Sequence, residues 1–378
     1  MARKLKSDKW LFIATLALVC TSIVMVYSAT AIIQAERGEY QYAYLLKQGT
    51  FALVGLALVL VVMRIDYRNY RQPVVIWTVL GVVAVALVVV LFGREVKGAR
   101  RWLDLGLIGL QPSEAAKIAI IMFVAAILER RMDRINEPAY SLLPIGVVLG
   151  TIVGLILTQP DLGTAFSIVM IAGVMIFAAG ISYRYITAIA LMGIPSLLEL
   201  IYTTEYRMRR IQAYLDPWAE PLKGGYQAVQ SMISVSVGGL FGRGFTEGLQ
   251  KLFYLPEPHN DFIFAVIGEE LGMLGATLVL ACFVVIAWRG MRTAVRAPDR
   301  FGSFLAVGLT TMVAFQALLN ISVVLGLLPT KGIPLPFVSY GGSSLLINLI
   351  GMGILLNVSQ HASASQIVTT TLPPTADA

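Results

Sequence analysis

The chain is broken into apolar blocks of roughly 17 to 25 residues, the length of helix that crosses about 30 Å of hydrocarbon. Ten such blocks lie near 10–30, 48–64, 73–92, 112–129, 141–158, 163–182, 184–203, 263–288, 303–328 and 337–358. Lipid offers no partner to an unpaired peptide group, so blocks of this length fold as helices. Only 13% of the 378 residues are charged, against about 25% in an ordinary soluble domain. The expectation is an all-α integral membrane protein of about ten spans, forming one polytopic domain over 1–361. The polar, Thr/Pro-rich stretch 362–378 reads as a disordered tail. The first block is too long for the core of a cleaved signal peptide. Cys20 and Cys282 fall inside spans and read as small core residues. No nucleic-acid partner is expected.

Charge sets the orientation. With the N-terminus in the cytoplasm, the inner segments carry fifteen Lys and Arg and the outer ones thirteen, with Lys117 inside a span. Ten of the thirteen lie in two outer loops, 93–111 and 204–260; the other three outer loops together carry only Arg37, Lys47 and Lys331. The positive-inside rule weights short loops, so N-in and C-in is expected, with a large outer loop (204–262) between spans seven and eight. The exceptions are then informative. Arg94, Lys97, Arg100 and Arg101 share one outer loop, while Arg207, Arg209 and Arg210 open the other. Such retained cations suit either an anionic partner such as phosphate or lipid headgroups. The long outer loop is rich in aromatics, carries an amphipathic stretch at 226–237 and a Gly-rich turn at 238–248, and is expected to be ordered.

Acids at the mouth of an apolar helix mark the first place to look for chemistry, because their desolvation is costly unless they are paired or used. The stretch YLPEPHNDFIFAVIGEELG (254–272) holds His259, Asp261, Glu269 and Glu270. Asp261 suits both an N-cap and a functional carboxylate at the positive end of a helix dipole. His259 reads as a turn residue or a ligand contact. Glu269 and Glu270 are about 100° apart on the helix, so at least one faces the interior.

Three further groups stand out. Glu114 and Lys117 have the i, i+3 spacing of a helical ion pair, as a structural clamp, a polar cavity wall, or both. Asp161 lies in the polar break QPDLG (159–163), as an N-cap or a wall of an outer-facing cavity. The stretch LLPTKGIPLPFVSYGGSS (327–344) breaks the backbone between two spans, which is tolerated only when buried or lining a cavity. Its Ser339, Ser343 and Ser344 offer hydroxyls to a sugar or phosphate. Trp102, beside Arg100 and Arg101, suits an interfacial anchor or a ligand contact. Walker A, HExxH and CxxC patterns are missing, so no nucleotide is expected, and any reaction must use an activated substrate.

At these residues the chain resembles the SEDS family (shape, elongation, division and sporulation) of polytopic peptidoglycan polymerases. The resemblance runs through VMVYSAT (24–30), GARRWLDLG and QPSEAAKIA (98–119), QPDLGTA (159–165), YQAVQSMISVSVGGLFGRG (226–244), LPEPHNDFIFAVIGEELG (255–272) and GLLPTKGIPLPFVSYGGSSLL (326–346). GARRW and GLLPTKG look more like the division-type branch than the elongation-type one; a sporulation-type member is close in pattern.

The resemblance implies an inverting glycosyltransferase that joins lipid II units with release of undecaprenyl pyrophosphate in septal wall synthesis. It places the essential acid at Asp261, as general base or as holder of a divalent cation (Mg or Mn). Beside that chemistry, Lys97, Arg100, Arg101, Trp102, Arg207, Arg210, His259, Ser339 and Ser343 read as substrate-side residues, with Glu114, Lys117, Asp161, Glu269 and Glu270 as cavity or support. It also implies a nascent glycan strand as second substrate, a class B penicillin-binding protein (transpeptidase) and other divisome proteins as partners, and a bacterial cytoplasmic membrane location with the active site facing outward. The alternatives are a lipid II flippase or transporter, an elongation-type polymerase and a noncatalytic scaffold for the transpeptidase.

Overall fold

The structure, a computed structural model, describes residues 7–93, 95, 99–104, 109–252 and 254–371. Seven helices occupy the first half: α1 (Lys9–Glu36), α2 (Ala43–Val62), α3 (Pro73–Leu91), α4 (Pro112–Arg131), α5 (Leu142–Leu157), α6 (Leu162–Ala178) and α7 (Tyr183–Tyr202). Two shorter ones, α8 (Glu205–Leu215) and α9 (Tyr226–Gly238), precede α10 (Ile263–Arg296), α11 (Arg300–Val324) and α12 (Gly342–Thr371). The only strands among the described residues are the pair β1 (Leu103–Asp104) and β2 (Gly109–Leu110), antiparallel with Leu103 opposite Leu110.

Helix starts follow local chemistry. Pro73 and Pro112 open α3 and α4, where the missing N–H costs nothing. Asp8, Asp161 and Asp299 cap α1, α6 and α11 through their side chains, each accepting from N–H groups of the first turn.

Six helices are long and apolar enough to cross a membrane: α1, α2, α3, α10, α11 and the stretch Gly342–Ala362 of α12. Helices α5 and α6 are apolar but shorter, and α4 and α7, each of 20 residues, carry charged side chains within their length. Helix α12 runs on to Thr371, so the boundary drawn at 362 from composition does not coincide with the helix end. Helices α11 and α12 form the centre: 78% and 72% of their apolar windows are buried, against 28% for α3 and 22% for α10. Cys282 is half-buried, but Cys20 faces outward on α1 rather than packing in the core.

The helix α10 is interrupted at Gly272, whose φ of 65° only glycine adopts without strain. The interruption frees backbone groups that must find partners. They find them in the Gly-rich turn: Met273 and Leu274 donate to the carbonyls of Gly239 and Leu240, while Arg243 and Gly244 donate to those of Glu269 and Glu270. So close an approach demands glycine on the facing turn as well. A Cβ on Gly238 would sit 1.9 Å from the Gly268 carbonyl, and one on Gly242 2.0 Å from that of Glu270. The described residues of the Gly-rich turn are thus fastened to α10, and α9 packs on α10 and α11.

Candidate functional site

Helices α6 and α11, the α7–α8 corner and the segment 328–333 enclose a cavity of about 440 Å³. Its walls are apolar, with Phe166 and Met170 from α6, Phe315, Leu319 and Val323 from α11, and Ile201 and Ile211 from the corner. Four cations, Arg101, Arg207, Arg210 and Lys331, share its lining with one carboxylate, Asp161. An apolar groove with a basic rim suits an amphiphile with an anionic head.

The cations are held by backbone. Arg101 donates to the carbonyls of Gln159 (3.1 Å) and Pro160 (2.6 Å), and Arg210 to that of Thr330 (2.8 Å). Lys331 lies 4.8 Å above the ring of Phe166. Burial pulls its ammonium below the ordinary lysine range; Asp161 opposes that pull, while Arg210 and Arg207 add to it. Asp161 is the N-cap of α6 and also a lining residue of the cavity. It accepts from Thr164 and from Gln111.

Asp261 is not among the residues that line this cavity, but it packs against one of them. The N-cap of α10 is Phe262, which makes no side-chain capping bond, so the carboxylate is not placed as the cap. It lies instead against Gly332 of the first cavity, where a Cβ would come within 3.0 Å of Oδ2. Two residues earlier, His259 lines a second cavity of about 550 Å³ together with Gln34, Arg37, Tyr44, Lys251 and Glu257. The imidazole packs edge-on against Tyr44 and Tyr340, and its backbone carbonyl accepts from Tyr340 N–H.

The other expected acids are structural. Glu269 accepts from Leu249 N–H, Gln250 N–H and Ser234. Glu270 binds Ser28 of α1, Thr246 N–H and the ammonium of Lys251. Together they fasten the loop 239–252 to α10. Glu114 and Lys117 form the ion pair their spacing implies, with Nζ 2.9 Å from both carboxylate oxygens and 2.9 Å from Gln316 Oε1. The trio is buried between α4 and α11.

Several expected substrate contacts lie elsewhere. Ser339 donates to the Asn260 carbonyl and accepts from Leu335 N–H; Ser343 donates to the Gly109 carbonyl and accepts from Gln111 N–H. Both hydroxyls tie loops together. Arg100 donates to the Leu91 carbonyl, and Trp102 lies over Gly109 on the hairpin; neither lines the first cavity. Arg209 faces outward, paired with Glu205. Lys97 lies outside the described residues. Sequence reasoning passed over Lys331, Lys251 and Asn320. The signal for Lys331 was a lysine in proline-broken backbone at membrane depth, and for Asn320 an amide inside the apolar run ALLNISVV.

The family model described as a cell cycle protein, FtsW/RodA/SpoVE, matches residues 9–364. A probable peptidoglycan glycosyltransferase FtsW of Geobacter sulfurreducens is 43% identical over 354 residues, 93% of this chain and 95% of its own. Stage V sporulation protein E of Bacillus subtilis is 41% identical over 366 residues, 95% of this chain and 99% of its own. Among solved structures, a chain from a peptidoglycan synthase complex, described for structural coordination of polymerization and crosslinking, is similar at TM-score 0.77 and 28% identity. It covers 95% of this chain and 99% of its own. The rod shape determining protein RodA of Thermus thermophilus is similar at TM-score 0.70 and 27% identity, over 94% and 97%.

Proposed function

This chain belongs to the FtsW/RodA/SpoVE family of cell cycle proteins, and from that premise we propose that it is a peptidoglycan glycosyltransferase of septal wall synthesis. Its substrate is lipid II, and its site opens to the extracytoplasmic face of the cytoplasmic membrane. The observation that carries this reading is the apolar cavity with a cationic rim, one of whose lining residues, Gly332, lies against the Asp261 carboxylate.

The donor's lipid lies along the Phe166 and Phe315 walls, and its pyrophosphate meets Arg101, Arg207, Arg210 and Lys331. The acceptor sugar enters from the His259 side. Asp261 takes the proton of the acceptor 4-hydroxyl as that oxygen attacks C1 of the donor. The O–C1 bond forms, the bond from C1 to the phosphate oxygen breaks, and its electron pair leaves on undecaprenyl pyrophosphate. The rim cations stabilise that charge as it develops. Attack opposite the leaving group inverts C1.

Among the described residues no three His, Cys, Asp or Glu side chains gather as a metal cage. A single carboxylate fits a magnesium-type ion, which takes one or two protein carboxylates together with substrate phosphates. As the alternative to its role as base, Asp261 would hold such an ion, which would supply charge neutralisation at the pyrophosphate.

Ten spans with both termini inside accord with the charge distribution and place the basic loops and Asp261 on one outer side. A class B penicillin-binding protein is the partner, supported by likeness to a chain of a complex described for polymerization and crosslinking. Purified Asp261→Asn protein is expected to fold and bind the transpeptidase but form no polymer from lipid II. Full polymerisation by that variant overturns the base assignment; transport of lipid II without polymer in the wild type favours a flippase.

A further inference from the structure

The loop that carries Asp261 precedes α10 and the segment that carries Lys331 follows α11, yet they must present an acid and a cation in fixed register. One side chain joins them. Asn320, on α11 and 2% exposed, donates from Nδ2 to the Asp261 carbonyl at 2.8 Å and to the Ile333 carbonyl at 2.8 Å. Both partners are carbonyl oxygens, so only the NH2 end of the amide can face them and the orientation is chemically forced. One turn back on the same face, Gln316 donates to the Pro334 carbonyl at 2.9 Å and does not reach Asp261. The bare Gly332 just before these anchors lets the Asp261 carboxylate lie against the segment.

We infer that Asn320 is a positioning residue for glycosyl transfer, setting the register of Asp261 against the 331–333 segment by clamping both backbones with one carboxamide. The inference rests on Asp261 acting in the transfer. A misplacement of about 1 Å at a reacting group costs on the order of 10²-fold in rate. Removing the clamp therefore lowers kcat far more than it weakens donor binding, because Arg101 and Arg207 of the rim stand on elements that Asn320 does not hold.

The test compares Asn320→Leu with Gln316→Leu in full-length protein, measuring kcat and KM for lipid II polymerisation beside thermal stability in detergent. Asn320→Leu is expected to lower kcat by on the order of 10²-fold with KM held within about twofold. Gln316→Leu, which loses a comparable buried amide, keeps kcat within a few fold at an equal or larger loss of stability. Asn320→Asp supplies a check of charge, since a carboxylate facing two carbonyls breaks the clamp at constant size and should behave like the leucine variant. Wild-type kcat in Asn320→Leu, or kcat losses that track stability alike in both leucine variants, overturns the inference. Asp261→Asn measured in parallel separates the two claims. If that variant is active, the base assignment fails; if it is inactive while Asn320→Leu is normal, only the positioning role fails.

Discussion

Replacing Lys117 by methionine tests how the membrane interior tolerates charge. Lys117 and Glu114 are 2% and 3% exposed, and all three ammonium hydrogens are used, two on Glu114 and one on Gln316. Removing the lysine strands a carboxylate and a carboxamide oxygen where water cannot reach them. Breaking such a buried pair costs about 3–5 kcal/mol, because the remaining charge is uncompensated. Glu114→Gln removes the opposite charge and should cost a comparable amount, eased by the amide oxygen it leaves as acceptor. The double variant, Glu114→Gln with Lys117→Met, has no stranded charge; it leaves Gln316 Oε1 without its donor, at about 1–3 kcal/mol. The expected order of stability is wild type, then double, then either single. The assay is thermal unfolding in detergent followed by thiol labelling of half-buried Cys282, in a Cys20→Ser background because Cys20 is already exposed. Equal losses in all three variants would refute the clamp and assign the pair a direct part in substrate handling.

Lys331 carries a pH dependence whose sign follows from its lowered proton affinity. The free protein should gain stability as pH rises from that lowered value towards the 10.5 of an ordinary lysine, since the unfolded chain binds the extra proton there. Binding of a pyrophosphate lipid should weaken over the same rise, and Lys331→Arg should flatten the curve in a binding titration. Gly238→Ala forces a methyl to within 1.9 Å of the Gly268 carbonyl. The methyl is fixed directly to its Cα and the carbonyl is backbone, so neither can swing aside, and a loss of at least about 1–3 kcal/mol is expected in thermal unfolding. Lys251→Met removes the partner of Glu270 and Ser28 and should loosen the loop 239–252, seen as faster trypsin cleavage at Arg243 with stability reduced by about 3–5 kcal/mol.

The elements were legible in the sequence because they depend on neighbours along the chain. Block length gives helices, Pro73 and Pro112 mark starts, Asp161 caps the turn that follows it, and Glu114 meets Lys117 one turn on. Asp261 was legible as an acid at a helix mouth, and the family resemblance singled it out. Its surroundings were not. Lys251 reads as one more loop cation until the fold buries it on Glu270, and Ser339 reads as a free hydroxyl until Asn260 takes it. Arg100 and Arg101 are adjacent in sequence, yet only Arg101 turns into the cavity.

The sequence alone determined a helical membrane protein, the location of its acids and the family it resembles, since hydropathy, spacing and motif are written in consecutive residues. Tertiary structure alone decided which cations face the groove, that Glu269 and Glu270 secure a loop, and that Asn320 joins two segments to Asp261. Those outcomes depend on contacts between residues far apart in the chain: Asn320 lies 59 positions from Asp261, and Arg210 lies 120 from Thr330. In lipid every buried polar group must find such a partner, and only the packed helices decide which one it finds.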